Sequence, residues 1–189
     1  MNKKEIIGLT GDMCSGKSTL AKYLSKNPDV DVIDSDQISK NILFDKSNQS
    51  KLIELFGNNT NKSQIAKIIF SNPEKKKELE DYIHPKVWKK IDENISNSDR
   101  KIIFVESAII YETHSEKKFD KIILIYNSNH QQQINRIKAK HNLSDLEIQQ
   151  RLNFQLPLVD KIKKADFAID TNCTLDELKI KAEELHQSL

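Results

Sequence analysis

The stretch Ile6–Leu20, "IIGLTGDMCSGKSTL", decides the fold. An apolar run ends at Gly11, a turn of small and polar residues follows, and Lys17 opens a segment with helical spacing. Between them, Gly11-Asp12-Met13-Cys14-Ser15-Gly16-Lys17-Ser18 satisfies the phosphate-loop pattern G-x-x-x-x-G-K-[ST], here followed by Thr19. Such a loop wraps a nucleotide triphosphate with backbone N–H groups at a helix N-terminus. Gly11 and Gly16 permit the tight path, Lys17 can reach the β- and γ-phosphates, and Ser18 can ligate Mg²⁺. Asp12, Met13 and Cys14 are the unusual positions. The charge of Asp12 has to point away from the triphosphate or raise the cost of binding it. Cys14, beside a helix N-terminus and Lys17, could carry a lowered thiol pKa, but a plain structural thiol is the favoured reading.

Working outward, short runs rich in Ile, Val and Phe alternate with helical patterns. Glu5–Thr10, Val30–Asp34, Lys101–Glu106, Lys121–Tyr126 and Phe167–Asp170 are nearly continuous apolar runs, as strands covered on both faces require. Helices are expected over Lys17–Lys26, Asp36–Phe44, Gln49–Phe56, Gln64–Phe70, Pro73–Ile95, Asn129–Lys140, Asp145–Phe154 and Leu175–Leu185. The last should bury a face of Leu175, Leu178, Ala182 and Leu185. Alternation of this kind predicts an α/β, doubly wound, five-stranded parallel sheet of the P-loop NTPase type. About sixty-five residues separate the second and third strands, too many for a simple crossover, which predicts a helical acceptor-binding insertion. A smaller excess between the fourth and fifth strands predicts a helical lid. "NNTNKS", Asn58–Ser63, reads as a loop after Gly57.

Composition sets limits. With 189 residues, one domain is expected. Thirty basic and 28 acidic residues leave a formal charge of +2, too balanced for a nucleic-acid binder. No stretch has the length of a membrane span, and glycines interrupt the first apolar run too early for a signal peptide. Cys14 and Cys173, without metal spacing, fit reduced thiols in a cytoplasmic protein. None of the four glycines lies three residues after an Asp, so the D-x-x-G of GTPase switches is missing, as is N-K-x-D. A small-molecule kinase is the class that remains favoured over a non-catalytic nucleotide switch.

Other chemistry sits at strand ends. Asp34-Ser35-Asp36 follows the second strand, where open α/β sheets place ligands. A carboxylate there could accept a hydroxyl proton or hold Mg²⁺-bound water; it could equally cap a helix starting at Gln37. Glu106 ends the third strand, as a Mg²⁺-supporting acid or a plain polar terminus. Arg136, Lys140 and Arg151 could stabilise a transferring phosphoryl group.

In order along the chain, "GLTGDMCSGKST" (Gly8–Thr19), "VIDSDQISK" (Val32–Lys40), "LEDYIHP" (Leu79–Pro85), "FVESAIIYE" (Phe104–Glu112), "QINR" (Gln133–Arg136), "RLNFQLPLVDK" (Arg151–Lys161) and "ADFAIDTN" (Ala165–Asn172) resemble the dephospho-CoA kinase family. The resemblance implies phosphorylation by Mg²⁺-ATP of the ribose 3′-hydroxyl of dephospho-CoA. It implies a nucleotide-binding core over residues 1–36, 98–127 and 165–189, a CoA-binding insertion over 37–97 and a lid over 128–164. It places the catalytic base at Asp36 and phosphate-binding lid arginines at Arg136 and Arg151. Asn172 falls near the adenine pocket, and Lys62, His84 and Glu106 fall on the acceptor side. Mg²⁺ would be held by Ser18, with Asp34 or Glu106 acting through water. The partners implied are ATP and dephospho-CoA, without nucleic acid or membrane, in a monomer or weak homo-oligomer. Departures from the family pattern are the loop residues Asp12, Met13 and Cys14, Glu106 for an aspartate, and Lys62 and Lys140 for arginines.

Overall fold

A computed structural model describes residues 3–58, 61–141 and 143–189. Five parallel strands, β1 (Glu5–Thr10), β2 (Val30–Asp34), β3 (Ile102–Glu106), β4 (Lys121–Tyr126) and β5 (Phe167–Asp170), form one sheet in the order β2-β3-β1-β4-β5. The five runs expected from sequence are these five strands. Strand β1 is central: its Leu9 is in register with Glu106 on one side and Ile123 on the other. The phosphate loop therefore leaves the middle of the sheet at its carboxyl edge, where the strand order reverses.

The chain divides into two compact units, residues 1–34 with 98–189, and residues 35–97. In the first, helix α1 (Lys17–Leu24) and the C-terminal helix, Leu175–Gln187, share a core with Ile7, Leu9, Phe104, Ile123 and Ile125. Residues of opposite parity face a second cluster, in which Ile110, Tyr111 and Ile122 meet Phe119 and Leu156. This two-sided burial explains the lack of polar alternation along the strands. Gly8 leaves room for that second face: a Cβ there would lie 2.7 Å from Ile110 Cδ1, so the Ile110 side chain would have to shift. In the C-terminal helix Leu178, Ala182 and Leu185 are buried as expected, whereas Leu175, in the first turn, is 65% exposed. The apolar stripe thus starts one turn later than its spacing suggests.

The second unit contains α2 (Ser35–Leu43), α3 (Gln49–Phe56), α4 (Lys62–Ser71) and α5 (Pro73–Asn97). Helix α5 buries Leu79, Ile83, Val87 and Ile91, a repeat of four that makes it the spine of the unit. Gly57 ends α3 at φ 62°, and the side chain of Asn61 accepts from Gln64 N to cap α4. Asn59 and Thr60 of the expected loop lie outside the described residues.

Between β4 and β5 come α6 (His130–His141), α7 (Asp145–Asn153) and α8 (Leu158–Lys164); the C-terminal helix is α9. Helices α7 and α9 each start with a capping box, Ser144 with Glu147 and Thr174 with Glu177. Helix α8 is missing from the sequence expectation. Its inward residue is Lys161, fully buried, which breaks the apolar period that would reveal a helix. Among the described residues, no helix is long and apolar enough to cross a membrane.

Candidate active site

The loop from Gly11 to Ser18 joins β1 to α1, and its backbone geometry accounts for its glycines. Gly11 has φ 145°, and a Cβ there would stand 1.9 Å from Ile125 O. Gly16 has φ 101° and forms the N-cap of α1 without a side-chain hydrogen bond. Among the described residues the backbone N–H groups of Cys14, Gly16 and Ser18 have no protein acceptor. A helix start left uncapped in this way suits an anionic ligand. Thr171, just past β5 and 2% exposed, donates through Oγ1 to Ser15 O (2.5 Å) and Tyr126 O (3.1 Å). This anchor escaped sequence reasoning, since a single threonine after a strand carries no distinctive signal.

Lys17 and Ser18 face different partners. Lys17 Nζ donates to the carbonyls of Gly11 (2.7 Å) and Asp12 (3.1 Å), so its ammonium lies over the loop that it serves. Ser18 Oγ donates to Glu106 Oε1 at 2.6 Å. Glu106 is in register with Asp34, so two acids end neighbouring strands at this edge. Ser18, Glu106 and Asp34 offer only hard oxygen donors, as Mg²⁺ requires. Among the described residues no three His, Cys, Asp or Glu side chains gather into a metal cage. Mg²⁺ fits such a sparse set, because it commonly retains waters and shares ligands with substrate phosphates.

A cavity of about 340 Å³ opens beside the loop, lined by Cys14 to Thr19, Arg136 and Lys140 of α6, Thr171, Cys173, Leu175 and Leu178. Arg136 and Lys140 therefore join the loop. Arg151, half-buried on α7, is not among the lining residues; burial lowers its guanidinium pKa, with Glu147 acting against that shift. Asn172 is exposed, and its backbone N donates to Asp170 Oδ1 (2.9 Å), while its neighbours Thr171 and Cys173 line the cavity. Cys14 fits the favoured structural reading and not the lowered pKa. Burial pushes its thiol pKa up and outweighs the nearby Lys140, Lys17 and Arg136, which pull it down. Cys14 also adopts φ 58°, in the left-handed region.

Asp12 and Met13 are held by the segment between β4 and β5. Lys161 Nζ of α8 donates to Asp12 Oδ1 and to Glu112 Oε1, both at 2.9 Å. The loop acid is thus neutralised by a buried cation. Met13 N donates to Gln155 Oε1 (3.3 Å), and Gln133 Nε2 donates to Met13 O (2.9 Å). Lys161 sits inside the segment Arg151–Lys161, but no spacing rule identifies a lysine that points inward.

The remaining candidates belong to the second unit. Helix α2 begins at Ser35, one residue before the expected Asp36–Phe44, so Asp36 lies in its first turn and does not cap a helix starting at Gln37. A carboxylate there meets the positive end of the helix dipole. Lys62 lines a shallow cavity with Lys40, Asn41, Phe44, Asp45 and Lys46. His84 is half-buried in α5, one residue before Pro85.

Comparison with known proteins shows what the whole chain is similar to. The model of the dephospho-CoA kinase family matches residues 5–177. A dephospho-CoA kinase of Fusobacterium nucleatum is 34% identical, the alignment covering 97% of this chain and 98% of the relative. The crystal structure of a Thermus thermophilus protein aligns with TM-score 0.85 at 26% identity over 99% of this chain and 98% of that one. The dephospho-CoA kinase of Campylobacter jejuni aligns with TM-score 0.70 at 26% identity, over 98% and 96% of the two chains.

Proposed function

The chain belongs to the dephospho-CoA kinase family, and on that premise we propose which residues carry each part of the reaction. The reaction transfers the γ-phosphoryl group of ATP to dephospho-CoA, giving coenzyme A and ADP. The observation that carries the reading is the 2.6 Å contact between Ser18 and Glu106 in a phosphate loop whose cavity Arg136 also lines.

The loop backbone from Gly11 to Thr19 binds the ATP phosphates. Lys17, Arg136 and Arg151 offset negative charge as the γ-phosphoryl group moves, the electrostatic part that dominates phosphoryl transfer. Ser18 would hold Mg²⁺, with Asp34 or Glu106 reaching it through water. When bound, the ion supplies charge neutralisation on the phosphates. Asp36 accepts the proton of the ribose 3′-hydroxyl as its oxygen bonds to the γ-phosphorus and the bond to ADP breaks. Asn172 belongs to the adenine side.

Residues 37–97 serve as the acceptor-binding insertion, with Lys62 and His84 among its contacts and Glu106 facing the acceptor from the core. Residues 128–164 serve as the lid, over a nucleotide-binding core of residues 1–36, 98–127 and 165–189. The enzyme works in the cytoplasm as a monomer or weak homo-oligomer, without nucleic-acid or membrane partners.

A coupled assay of ADP release tests the reading. ADP should form with dephospho-CoA and stay at background without an acceptor; equal release in both would defeat it. Asp36→Asn should lower turnover by about 10²- to 10⁴-fold while ATP affinity survives. Near-normal turnover in that variant removes Asp36 from the base role.

A further inference from the structure

We propose that Lys161 is a positioning residue for phosphoryl transfer: by offsetting one of the two negative charges of Asp12 and Glu112 and holding both carboxylates on α8, it keeps the phosphate loop able to accept a polyanion. The proposal rests on the reading of Gly11–Ser18 as the ATP site. Lys161 is fully buried, and its Nζ lies 2.9 Å from both Asp12 Oδ1 and Glu112 Oε1. Asp12 meets α8 through its side chain and the reacting centre through its backbone. Its carbonyl accepts from Ser15 N and from Lys17 Nζ, both at 3.1 Å. One residue therefore connects the buried cation to the lysine that serves the phosphates.

Glu112 depends on the same cation. Its Oε1 also accepts from Leu156 N (2.8 Å), and its Oε2 is buried with no hydrogen-bond partner among the described residues. Two carboxylates thus share one ammonium beside a loop whose ligand is itself strongly negative. With Lys161 removed, both acids would repel that ligand across a poorly hydrated interior, where charges are weakly screened. The consequence falls on ATP rather than on the acceptor. Gln155 and Gln133 hold the Met13 peptide independently, so the loop retains neutral anchors when the charges are changed.

The test compares Lys161→Met with the triple variant Asp12→Asn, Glu112→Gln, Lys161→Met, which has no net charge in the cluster. ATP affinity is measured by calorimetry without acceptor, and KM for dephospho-CoA is measured separately. Lys161→Met should weaken ATP binding about tenfold or more, and the triple variant should return to within about fivefold of the parent protein. KM for dephospho-CoA should stay within about threefold in both. A triple variant more than about fivefold weaker for ATP overturns the proposal, because removing the uncompensated acids would then not restore the loop. If Lys161→Met does not fold, the triple variant against the parent decides alone, by the same limit. A parent protein that binds ATP but leaves dephospho-CoA unphosphorylated would overturn the acceptor assignment and leave this comparison readable.

Discussion

Ser18 Oγ donates a 2.6 Å hydrogen bond to Glu106 Oε1, joining the first turn of α1 to the last residue of β3. The pair links the phosphate loop to the sheet edge through a hydroxyl and a carboxylate, both of which are Mg²⁺ ligands in kind. Ser18→Ala should therefore raise the Mg²⁺ concentration needed for half-maximal turnover and lower turnover at saturating ATP by about 10- to 100-fold. A Mg²⁺ titration of ADP release in the variant checks this, and an unchanged curve would remove Ser18 from the metal site.

Gly11 and Gly57 both have positive φ, but they should respond differently to alanine. At Gly11 the added Cβ would stand 1.9 Å from a backbone carbonyl, whereas at Gly57 nothing lies within 4 Å. Gly57→Ala carries only a backbone cost, about 1–3 kcal/mol for a φ 62°, ψ −144° conformation that glycine adopts far more readily than alanine. Gly11→Ala carries a backbone cost as well and must also displace β4, which should add about 1–3 kcal/mol or more. For a chain of this size the two differ by several degrees or more in Tm, at about 2–4 °C per kcal/mol. Equal melting shifts would contradict the close approach of Gly11 to Ile125.

The Cys14 thiol should be a slow nucleophile at neutral pH. Burial raises its pKa, so alkylation should accelerate only above the pH at which an ordinary thiol reacts. Because Cys14 lines the cavity beside the loop, saturating ATP should slow labelling further. Rates of iodoacetamide labelling against pH, with Cys173→Ser as background, provide the check. Labelling indifferent to ATP would separate Cys14 from the nucleotide.

Asp120 links acidity to stability. It accepts from Ile6 N (2.9 Å) and Lys3 Nζ (2.8 Å), and these contacts, the backbone one first, hold its carboxyl below the usual range. A folded-state pKa below the unfolded value stabilises the fold above the ordinary carboxylate pKa; that contribution fades as pH falls through the folded value. Asp120→Asn should melt below the parent at neutral pH, and the gap should close as pH falls below the ordinary carboxylate range. A gap independent of pH would assign the loss to packing instead.

The fold was legible wherever burial is two-sided. Ile6 and Ile7, or Ile122 and Ile123, face opposite layers of the same sheet, so each strand reads as a short unbroken apolar run. The phosphate loop was legible because its backbone path restricts which residues can stand at Gly11 and Gly16. The supports of that loop were hidden. Lys161 has the identity of a surface residue and the position of a core residue, and Thr171 acts through one hydroxyl across 156 positions of sequence. The direction of the Cys14 pKa is hidden from the sequence for a related reason. Neighbouring cations can be inferred from sequence, but the desolvation that outweighs them depends on packing.

The strand order has a consequence for synthesis. Strand β1 leaves the ribosome first, yet it pairs only with β3 and β4, which begin at Ile102 and Lys121. Residues 35–97 form a compact unit from one uninterrupted stretch, so every contact within it can form while β1 still lacks a neighbour. Thr171, which ties down the loop through Ser15, emerges 156 positions after it. The most recognisable motif in the protein is thus translated well before the residue that fastens it, and a nascent chain stalled before β5 would display the phosphate loop without its anchor.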